Sequence, residues 1–397
     1  MFKYKNSIFL FLFCILSIPL LSKIITIDSH IDIPFDYMEN PEHDPGKITD
    51  MQVDLYKMKK GGLDSGFFVV YVPQGPLDKA GFENARLLAE KKFLAISKMI
   101  KTYSNQIGLA LAPEDIIQLK NNKLLSAAIG IENGYVIGED LSLLDYYYSL
   151  GARYMTLTHI GHNQIADSSI PSKRLNDEKE LHSGISAFGK KVIRRMNKLG
   201  MMIDISHISD KASLEAIKLS SAPVIASHSC VKSIADHPRN ISDDLLYALK
   251  ENEGVIQITA FANYVKVNNN RFNSIISLGN KVAKLYGDDN FNPSLHSNKR
   301  EYLEGIENIN MKFPMPDIDD FIDHIDYVVK LIGIDYVGIS SDFGGGGGIS
   351  GWIDASETKL LTHKLKERGY SPKEIEKIWG GNILRVWKRV EDIASNT

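Results

Sequence analysis

Short apolar runs, rich in β-branched residues, alternate along this chain with longer segments whose apolar positions follow helical spacing. We predict eight strands, and about eight strands alternating with helices are typical of an α/β fold of the (β/α)8, TIM-barrel type. A doubly wound open sheet is the alternative, although the glycine-rich phosphate-binding sequence that usually follows its first strand is missing. The predicted strands begin at Ile24, Gly66, Leu124, Ala152, Met201, Pro223, Val255 and Asp335.

Polar side chains stand at the carboxyl ends of nearly all of these runs. Active-site residues of barrels come from those strand ends, so this distribution favours the barrel over the open sheet. No linker or change of composition divides the chain, and we therefore predict a single catalytic domain over residues 23–397. The residues at the strand ends are His30, Asp32, Glu132, His159, His207, His228 and Asp342.

Two further segments are predicted to be helical. Residues 263–312, which are rich in Asn, are expected to form a helical excursion with a loop before the last strand. Near the C-terminus, Ser371 is a favourable N-cap, Pro372 suits the first turn and Glu374 can complete a capping box. We expect the chain to end in a closing pair of helices.

The first residues have the pattern of an export signal. Lys3 and Lys5 precede an apolar stretch, residues 8–21, which has the length of a signal-peptide core and is short for a membrane span. We predict that residues 1–22 are a signal peptide, cleaved near Ser22, and that the protein is exported to the periplasm or the exterior. An uncleaved leader that tethers the protein to the membrane is the alternative.

Composition excludes one class of partner. The chain has 46 Lys and Arg residues against 49 Asp and Glu residues, which is not the basic surplus of a nucleic-acid-binding protein. Its 397 residues suffice for two average domains or one large barrel. Cys14 and Cys230 are the only cysteines, so removal of the leader leaves no intrachain disulfide. A core of this size can be stable without one.

The stretch IDSHID contains the first candidate metal ligands. His30 and Asp32 are two positions apart at the end of a predicted strand, so their side chains project to the same face. An imidazole and a carboxylate on one face can bind a divalent metal, although this pair alone is a weak signal. Asp28 lies on the same face of the strand but deeper in the predicted barrel, and we expect it to have a supporting, hydrogen-bonding role.

Two histidines and a glutamate extend this candidate site. His207 and His228 end strands that are about one βα unit apart, and they could share a metal or simply hydrogen bond to the backbone. Glu132 closes an apolar strand and could bridge two ions, one held with His30 and Asp32 and the other with both later histidines. Paired ions about 3.5–4 Å apart activate a shared water. These donors suit zinc, with manganese or iron as alternatives.

Further residues at the strand ends could carry the chemistry. Asp342 is a candidate general base that takes a proton from the bridging water and passes it to a leaving amine. His159 could donate a hydrogen bond to the developing oxyanion, or it could have only a structural role. We expect His162 to be a solvated loop residue.

Arg239 follows the strand that ends at His228. An arginine above the site could clamp a substrate carboxylate through two hydrogen bonds. The alternative is a surface salt bridge with Asp243 or Asp244, and the residues alone favour this alternative slightly.

The order of the motifs DSHID, IENG, MTLTH, IDISH, ASHS, RNISDD, NYV and SSDF resembles the membrane dipeptidase (renal dipeptidase) family of zinc metallopeptidases, a branch of the amidohydrolase-like barrels. The resemblance extends from about Ile25 to the C-terminal GGNILRVW. It implies a (β/α)8 barrel with two zinc ions per chain that hydrolyses dipeptides, often with a D- or dehydro residue in the C-terminal position. The nucleophile would be a hydroxide that bridges the metals.

The resemblance also assigns roles to residues. It implies that the first zinc is bound by His30 and Asp32, that Glu132 bridges, and that His207 and His228 bind the second zinc.

The same resemblance implies that His159 polarises the scissile carbonyl and that Asp342 shuttles the proton. Arg239 and Tyr264 would bind the free carboxylate of the dipeptide substrate, against the salt bridge favoured above. Members of the family often form homodimers. One departure is Gly344, which stands where the family commonly has an acidic residue and which opens a glycine run; it affects the expected side-chain specificity.

Two other hypotheses belong to different classes. Another barrel metallohydrolase, such as a lactonase, deaminase or phosphotriesterase-like enzyme, would usually have His-x-His on its first strand, and several use a carboxylated lysine as the bridge. The His-x-Asp pair at His30 and the carboxylate of Glu132 argue against it. A non-catalytic peptide-binding barrel is disfavoured because all the proposed metal ligands are present.

Overall fold

The structure is a computed structural model that describes residues 24–289, 291, 296 and 299–396. The predicted leader and Cys14 lie outside the described residues. The strands are β1 (Ile27–Asp32), β2 (Ser65–Tyr71), β3 (Ile107–Leu109), β4 (Leu125–Glu132), β5 (Ala152–Thr156), β6 (Met202–Asp204), β7 (Ile225–Ser229), β8 (Val255–Thr259) and β9 (Val337–Ser340).

Helices follow most of the strands and surround them. They are α1 (Leu55–Gly61), α2 (Lys79–Thr102), α3 (Pro113–Asn121), α4 (Ser142–Ser149), α5 (Ala187–Leu199), α6 (Asp210–Leu219), α7 (Asp243–Glu251), α8 (Ala262–Val265), α9 (Asn269–Leu285), α10 (Arg300–Lys312), α11 (Ile318–Leu331), α12 (Thr358–Glu367), α13 (Pro372–Glu376) and α14 (Asn382–Ser395). Among the described residues, no helix is long and apolar enough to cross a membrane.

Eight parallel strands form the barrel in the order β1-β2-β4-β5-β6-β7-β8-β9, and β3 pairs with β4 beside this path. A parallel bridge between Ile31 and Phe343 closes the ring. At this closure the N–H of Asp32 donates to the carbonyl of Phe343 over 2.8 Å. The (β/α)8 prediction is therefore confirmed and the open sheet is wrong. All eight predicted strands are present. The three-residue β3 was not predicted, because so short a segment has no recognisable hydrophobic periodicity.

The interior of the barrel is apolar at its lower end and polar at its mouth. Ile27, Phe67 and Val69 belong to a buried cluster inside the sheet, and Trp387 of α14 packs against Phe67 with the ring centroids 5.5 Å apart. The C-terminal helix therefore closes the end of the barrel at which the strands begin. The opposite end, where the strands terminate, is left for the polar side chains.

The predicted C-terminal helix start is confirmed, and the two closing helices, α13 and α14, are present without a loop between them. Ser371 and Glu374 form the capping box, with the Ser371 N–H 2.7 Å from the Glu374 carboxylate. A π-helical segment, Lys377–Gly381, continues α13 directly into α14. A Cβ at Gly380 would lie 2.5 Å from the carbonyl oxygen of Ile25, so the glycine permits close packing on the first strand and does not end the helix. The predicted helical excursion is present as α8, α9 and α10.

Candidate metal centre

The end of β1 contributes His30 and Asp32 to the mouth of the barrel. Nε2 of His30 lies 3.4 Å from Oδ2 of Asp32, as expected for side chains two positions apart on a strand. Asp28 lies one layer below, where Oδ1 accepts the N–H groups of His30 (3.2 Å) and Ser341 (2.9 Å). Asp28 thereby connects the first and last strands and has the supporting role that was predicted.

Glu132, the last residue of β4, lies between two sets of imidazoles. Its Oε2 is 3.5 Å from Nε2 of His30. Its Oε1 is 2.9 Å from Nε2 of His207 and 3.3 Å from Nε2 of His228. Although burial opposes ionisation, the charge of His30 and the neighbouring imidazoles keep the pKa of Glu132 well below its usual value. Each oxygen of this ionised carboxylate faces a different set of nitrogen donors, which is the arrangement required of a bridge.

His207 and His228 direct the same ring atom at each other, with their Nε2 atoms 2.9 Å apart. Two imidazole nitrogens at this distance need a proton or a cation between them. Burial lowers the pKa of both rings well below the usual value and so disfavours the proton. A metal ion therefore suits these two rings.

Hydrogen bonds on the far side of His228 fix its tautomer. Nδ1 of His228 lies 2.7 Å from Oγ of Ser227, and this hydroxyl donates to Oδ2 of Asp204 over 2.6 Å. Because its proton is committed to Asp204, the hydroxyl accepts the Nδ1–H of His228. The lone pair of His228 is then on Nε2, which faces the mouth. An imidazole oriented in this way is typical of metal ligands.

The orientation of the His30 ring is fixed by a different group. Its Nδ1 lies 3.0 Å from the hydroxyl of Tyr154, and this hydroxyl donates to the carbonyl of Ser29 over 3.0 Å. Nε2 of His30 is buried and has no hydrogen-bond partner among the described residues. A buried, unpartnered nitrogen beside two carboxylates fits a site for a cation.

The donor atoms fall into three overlapping groups whose atoms lie within 4.8 Å of one another. Glu132 and His30 each belong to two of these groups, so all of the donors are connected. The ligand sets predicted for the two ions did not include His159 or Asp342. The structure places His159 beside Glu132 and His207, and Asp342 beside His30 and Asp32. The groups are His30, Glu132 and His228; Glu132, His159 and His207; and His30, Asp32 and Asp342.

Asp342 follows β9 in a left-handed backbone conformation, with φ of 59°. Its Oδ1 lies 4.0 Å from Nε2 of His30. Burial, together with the negative charges of Asp32 and Glu132, raises the pKa of Asp342 well above its usual value. This carboxyl therefore takes up a proton at higher pH than an exposed aspartate does.

The glycine run after Asp342 passes very close to the site. A Cβ at Gly345 would lie 2.4 Å from Oδ2 of Asp32 and 2.5 Å from Oδ1 of Asp342. Gly344 has φ of +83°, and a Cβ there would lie 2.4 Å from the carbonyl oxygen of Asp32. The glycine at position 344, where the family commonly has an acidic residue, fits this packing. The backbone of the glycine run lies directly against two of the site carboxylates.

His159 lies at the edge of the site with 19% of its side chain exposed, and its Nε2 is 3.8 Å from Oε1 of Glu132. Its ring contacts those of Tyr71 and His207, with centroid distances of 4.7 and 4.3 Å. Burial lowers the pKa of His159, so the ring is neutral at neutral pH. The prediction that His162 is a solvated loop residue was wrong. His162 is buried, and its Nδ1 accepts the N–H of Ser168 over 3.0 Å, so the ring helps to hold its own loop.

Arg239 is buried against the strand end that carries His228, so the surface salt bridge with Asp243 or Asp244 was wrong. Its guanidinium donates to the carbonyl of His228 over 3.0 Å and lies 5.3 Å from the ring centroid of Tyr264. Its Nε has no partner among the described residues. A buried arginine with a free donor beside a tyrosine can bind a carboxylate.

Three residues that organise the site were not predicted from the sequence: Tyr154, Asp204 and Ser227. The buried carboxylate of Asp204 accepts hydrogen bonds from Thr156 and Ser227 at 2.5 and 2.6 Å. A signal was available for Tyr154, because a buried tyrosine in a barrel strand needs a partner for its hydroxyl. The sequence could not identify that partner.

Comparisons with known proteins add independent findings. A family model described as membrane dipeptidase (Peptidase family M19) matches residues 17–397. The chain is 28% identical to dipeptidase tcpJ of Claviceps purpurea, over 91% of this chain and 75% of that protein. It is also 28% identical to dipeptidase 3 of Mus musculus, over 92% of this chain and 64% of that longer protein.

A solved structure agrees with these sequence matches. The probable dipeptidase PvdM from Pseudomonas aeruginosa superposes with a TM-score of 0.82 and 32% sequence identity. The matched region covers 94% of this chain and 97% of PvdM. The similarity therefore includes the whole barrel and its site.

Proposed function

Because this chain belongs to the membrane dipeptidase family of metallopeptidases, which are hydrolases, we propose that it is a zinc-dependent dipeptidase with two zinc ions per chain. We include dipeptides with a D- or dehydro residue in the C-terminal position among its substrates. The observation that carries the proposal is the position of Glu132, whose two oxygens face His30 on one side and His207 and His228 on the other. Family membership argues against the lactonase-type and non-catalytic hypotheses.

The residues present fit two divalent ions. His30, Asp32 and Glu132 would hold one ion, and Glu132 with His207 and His228 would hold the other. The fit is supported by the unpartnered Nε2 of His30 and by the tautomer of His228. When bound, such ions supply Lewis acidity, which polarises a carbonyl and brings the pKa of water towards neutrality.

The side chains around these donors divide the remaining tasks. Asp342, whose pKa is raised by burial, accepts the proton of the attacking water and transfers it to the leaving amine. His159 is neutral and partly exposed, and its ring N–H stabilises the oxyanion that develops on the scissile carbonyl.

Arg239 and Tyr264 bind the free C-terminal carboxylate of the substrate. The support is the free Nε of Arg239 and its guanidinium above the Tyr264 ring. Because this carboxylate-binding pair is buried next to the metal ligands, a peptide with a longer C-terminal extension would not fit. The site would therefore take one residue on the C-terminal side of the scissile bond.

We also propose that residues 1–22 are removed on export and that residues 23–397 act as one catalytic domain. The support is the leader pattern of Lys3, Lys5 and the apolar residues 8–21. A homodimer is the proposed assembly on the basis of the family resemblance alone. N-terminal sequencing of the secreted protein and its mass in solution test these two statements.

The decisive experiment measures hydrolysis and metal content together. The purified chain is expected to cleave L-Ala-L-Ala and L-Ala-D-Ala, and to leave tri-alanine and the dipeptide amide intact. Chelation should abolish turnover, and zinc should restore it as the metal content approaches two ions per chain. Full activity in a verified metal-free sample, or no cleavage of any dipeptide by the zinc-loaded protein, would overturn the proposal.

The variant Asp342→Asn separates proton transfer from binding. We expect turnover to fall by roughly 10²- to 10⁴-fold while a dipeptide still binds, since the carboxylate is used only for the proton. Equal turnover in the variant and the parent protein would remove Asp342 from the mechanism.

A further inference from the structure

Lys92 is a buried cation that the proposed mechanism does not use. It lies on the face of α2 that packs against the barrel, and only 2% of it is exposed. No described residue forms a hydrogen bond or ion pair with its amine. Lysines are almost never buried without a partner, because removing the charge from water is unfavourable. The other buried residues of this helix are small or apolar: Ala85, Ala89, Phe93, Ala95, Ile96 and Met99.

The neighbours of the amine locate it at the mouth of the barrel. Nζ of Lys92 lies 4.5 Å from the ring centroid of Phe35 and 5.5 Å from that of Tyr71. Tyr71 is the last residue of β2 and pairs in register with Glu132. Its ring also contacts His159, with the centroids 4.7 Å apart. The aromatic faces stabilise the cation partly and leave its N–H groups without a strong acceptor.

The strand order places this group opposite Arg239. Starting from β2, three strands separate it from β7 in either direction around the closed ring. Arg239 follows β7 and contacts the carbonyl of its residue His228. A dipeptide whose carboxylate lies at Arg239 and whose scissile carbonyl lies near Glu132 therefore extends its N-terminal residue towards β1 and β2.

We propose that Phe35, Tyr71 and Lys92 form the subsite for the side chain of the N-terminal residue, and that Lys92 selects dipeptides whose N-terminal residue is acidic. This inference rests on the proposed dipeptidase function. The aromatic rings contact the methylene groups of an Asp or Glu side chain, and its carboxylate supplies the acceptor that the amine lacks.

The charge state of the amine is compatible with this role. Burial lowers the pKa of Lys92 to about 8, while the carboxylates of Asp32 and Glu132 act in the opposite direction. The amine is therefore still mostly protonated at neutral pH. A bound carboxylate would favour the protonated form further.

The test compares isosteric substrates on the zinc-loaded, full mature protein. We expect kcat/KM for L-Glu-L-Ala to exceed that for L-Gln-L-Ala roughly tenfold, because the ammonium group of Lys92 then pairs with a carboxylate and not with a neutral amide. Equal values for the two substrates, or a preference for Gln, would overturn the inference without any variant. Failure of the proposed function is different, because the protein would then cleave neither of them nor L-Ala-L-Ala.

Two variants connect the preference to this amine. Lys92→Met should remove the difference between the Glu and Gln substrates, because kcat/KM for L-Glu-L-Ala should fall much further than that for L-Gln-L-Ala. Lys92→Arg keeps a cation and should retain a preference for Glu.

Lys91→Met is the matched control on the same helix, since the Lys91 amine lies at the surface, 3.0 Å from Glu39. It should behave as the parent protein. An unchanged Glu preference in folded Lys92→Met, or the same loss of preference in Lys91→Met, contradicts the assignment.

Discussion

The hydroxyl of Tyr154 lies 3.0 Å from Nδ1 of His30 and donates its own proton to the carbonyl of Ser29. The second bond determines the direction of the first, so the His30 ring carries its proton on Nδ1. Nε2 then faces Asp32 and Glu132, at 3.4 and 3.5 Å. Although burial opposes the charge, these carboxylates raise the pKa of the His30 ring well above its usual value, so a metal would displace the proton on Nε2. A buried tyrosine thus prepares this imidazole to bind a metal.

Replacement of Tyr154 by Phe should weaken metal binding by about 10- to 100-fold, because His30 loses the acceptor that holds its tautomer and ring orientation. Competition of the apoprotein with a chromophoric zinc chelator measures this affinity directly. Tyr147→Phe is a matched control, since that buried hydroxyl donates to the carbonyl of Val136 over 3.2 Å. Equal zinc affinities for Tyr154→Phe and the parent protein would show that the hydroxyl has no such role.

Ser227→Ala should lower the zinc affinity of the second proposed ion by roughly tenfold, because Nδ1 of His228 loses its acceptor and Asp204 loses a donor. Stepwise zinc titration followed by elemental analysis should show one ion lost at a lower chelator concentration than in the parent protein. Ser213→Ala removes another buried hydroxyl, which has no partner among the described residues, and should leave both ions unaffected. Simultaneous loss of both ions from Ser227→Ala would contradict an effect confined to one.

Gly345→Ala should reduce turnover by roughly a hundredfold, because the new Cβ would displace the carboxylates of Asp32 and Asp342. The measurement is kcat on L-Ala-L-Ala at saturating zinc. Gly369→Ala serves as the control at a glycine with positive φ and no neighbouring heavy atom within 4 Å. If Gly345→Ala turns over normally, the glycine run is not needed for the position of these carboxylates.

The stability of the protein should depend on pH through Lys92. The pKa of Lys92 is about 8 in the folded protein, whereas the ordinary value of 10.5 applies to the unfolded chain. Between these values the unfolded chain binds the proton and the folded chain does not, so stability rises with pH in this window. Below pH 8 the buried charge destabilises the fold by about 3 kcal/mol, from about 1.4 kcal/mol per pKa unit.

Urea unfolding of the chelator-treated proteins checks this linkage. Lys92→Met should be more stable than the parent protein at pH 7, and its advantage should shrink by about 3 kcal/mol between pH 8 and pH 10.5. Lys91→Met provides the baseline for loss of a surface lysine. An advantage that does not change with pH would show that Lys92 is not buried as a charge.

Much of the fold could be predicted because its signals are local. The eight barrel strands are apolar runs separated by helical patterns, and the box of Ser371 and Glu374 is a spacing of three residues. Local signals failed where a distant contact decided the outcome. A surface salt bridge was slightly favoured for Arg239, but this side chain is buried beside Tyr264.

The sequence by itself determined which residue types stand at the strand ends, and so it determined the chemistry of His30, Glu132 and Asp342. Only the tertiary structure decided which groups hold those residues. His30 and Tyr154 are 124 positions apart and meet because β1 and β5 line the same barrel interior. Likewise, a lysine in a helix looks solvated until the packing of α2 buries Lys92 beside Tyr71. Periodicity is a property of neighbouring residues, whereas tautomers, buried charges and subsites depend on residues that only the closed barrel brings together.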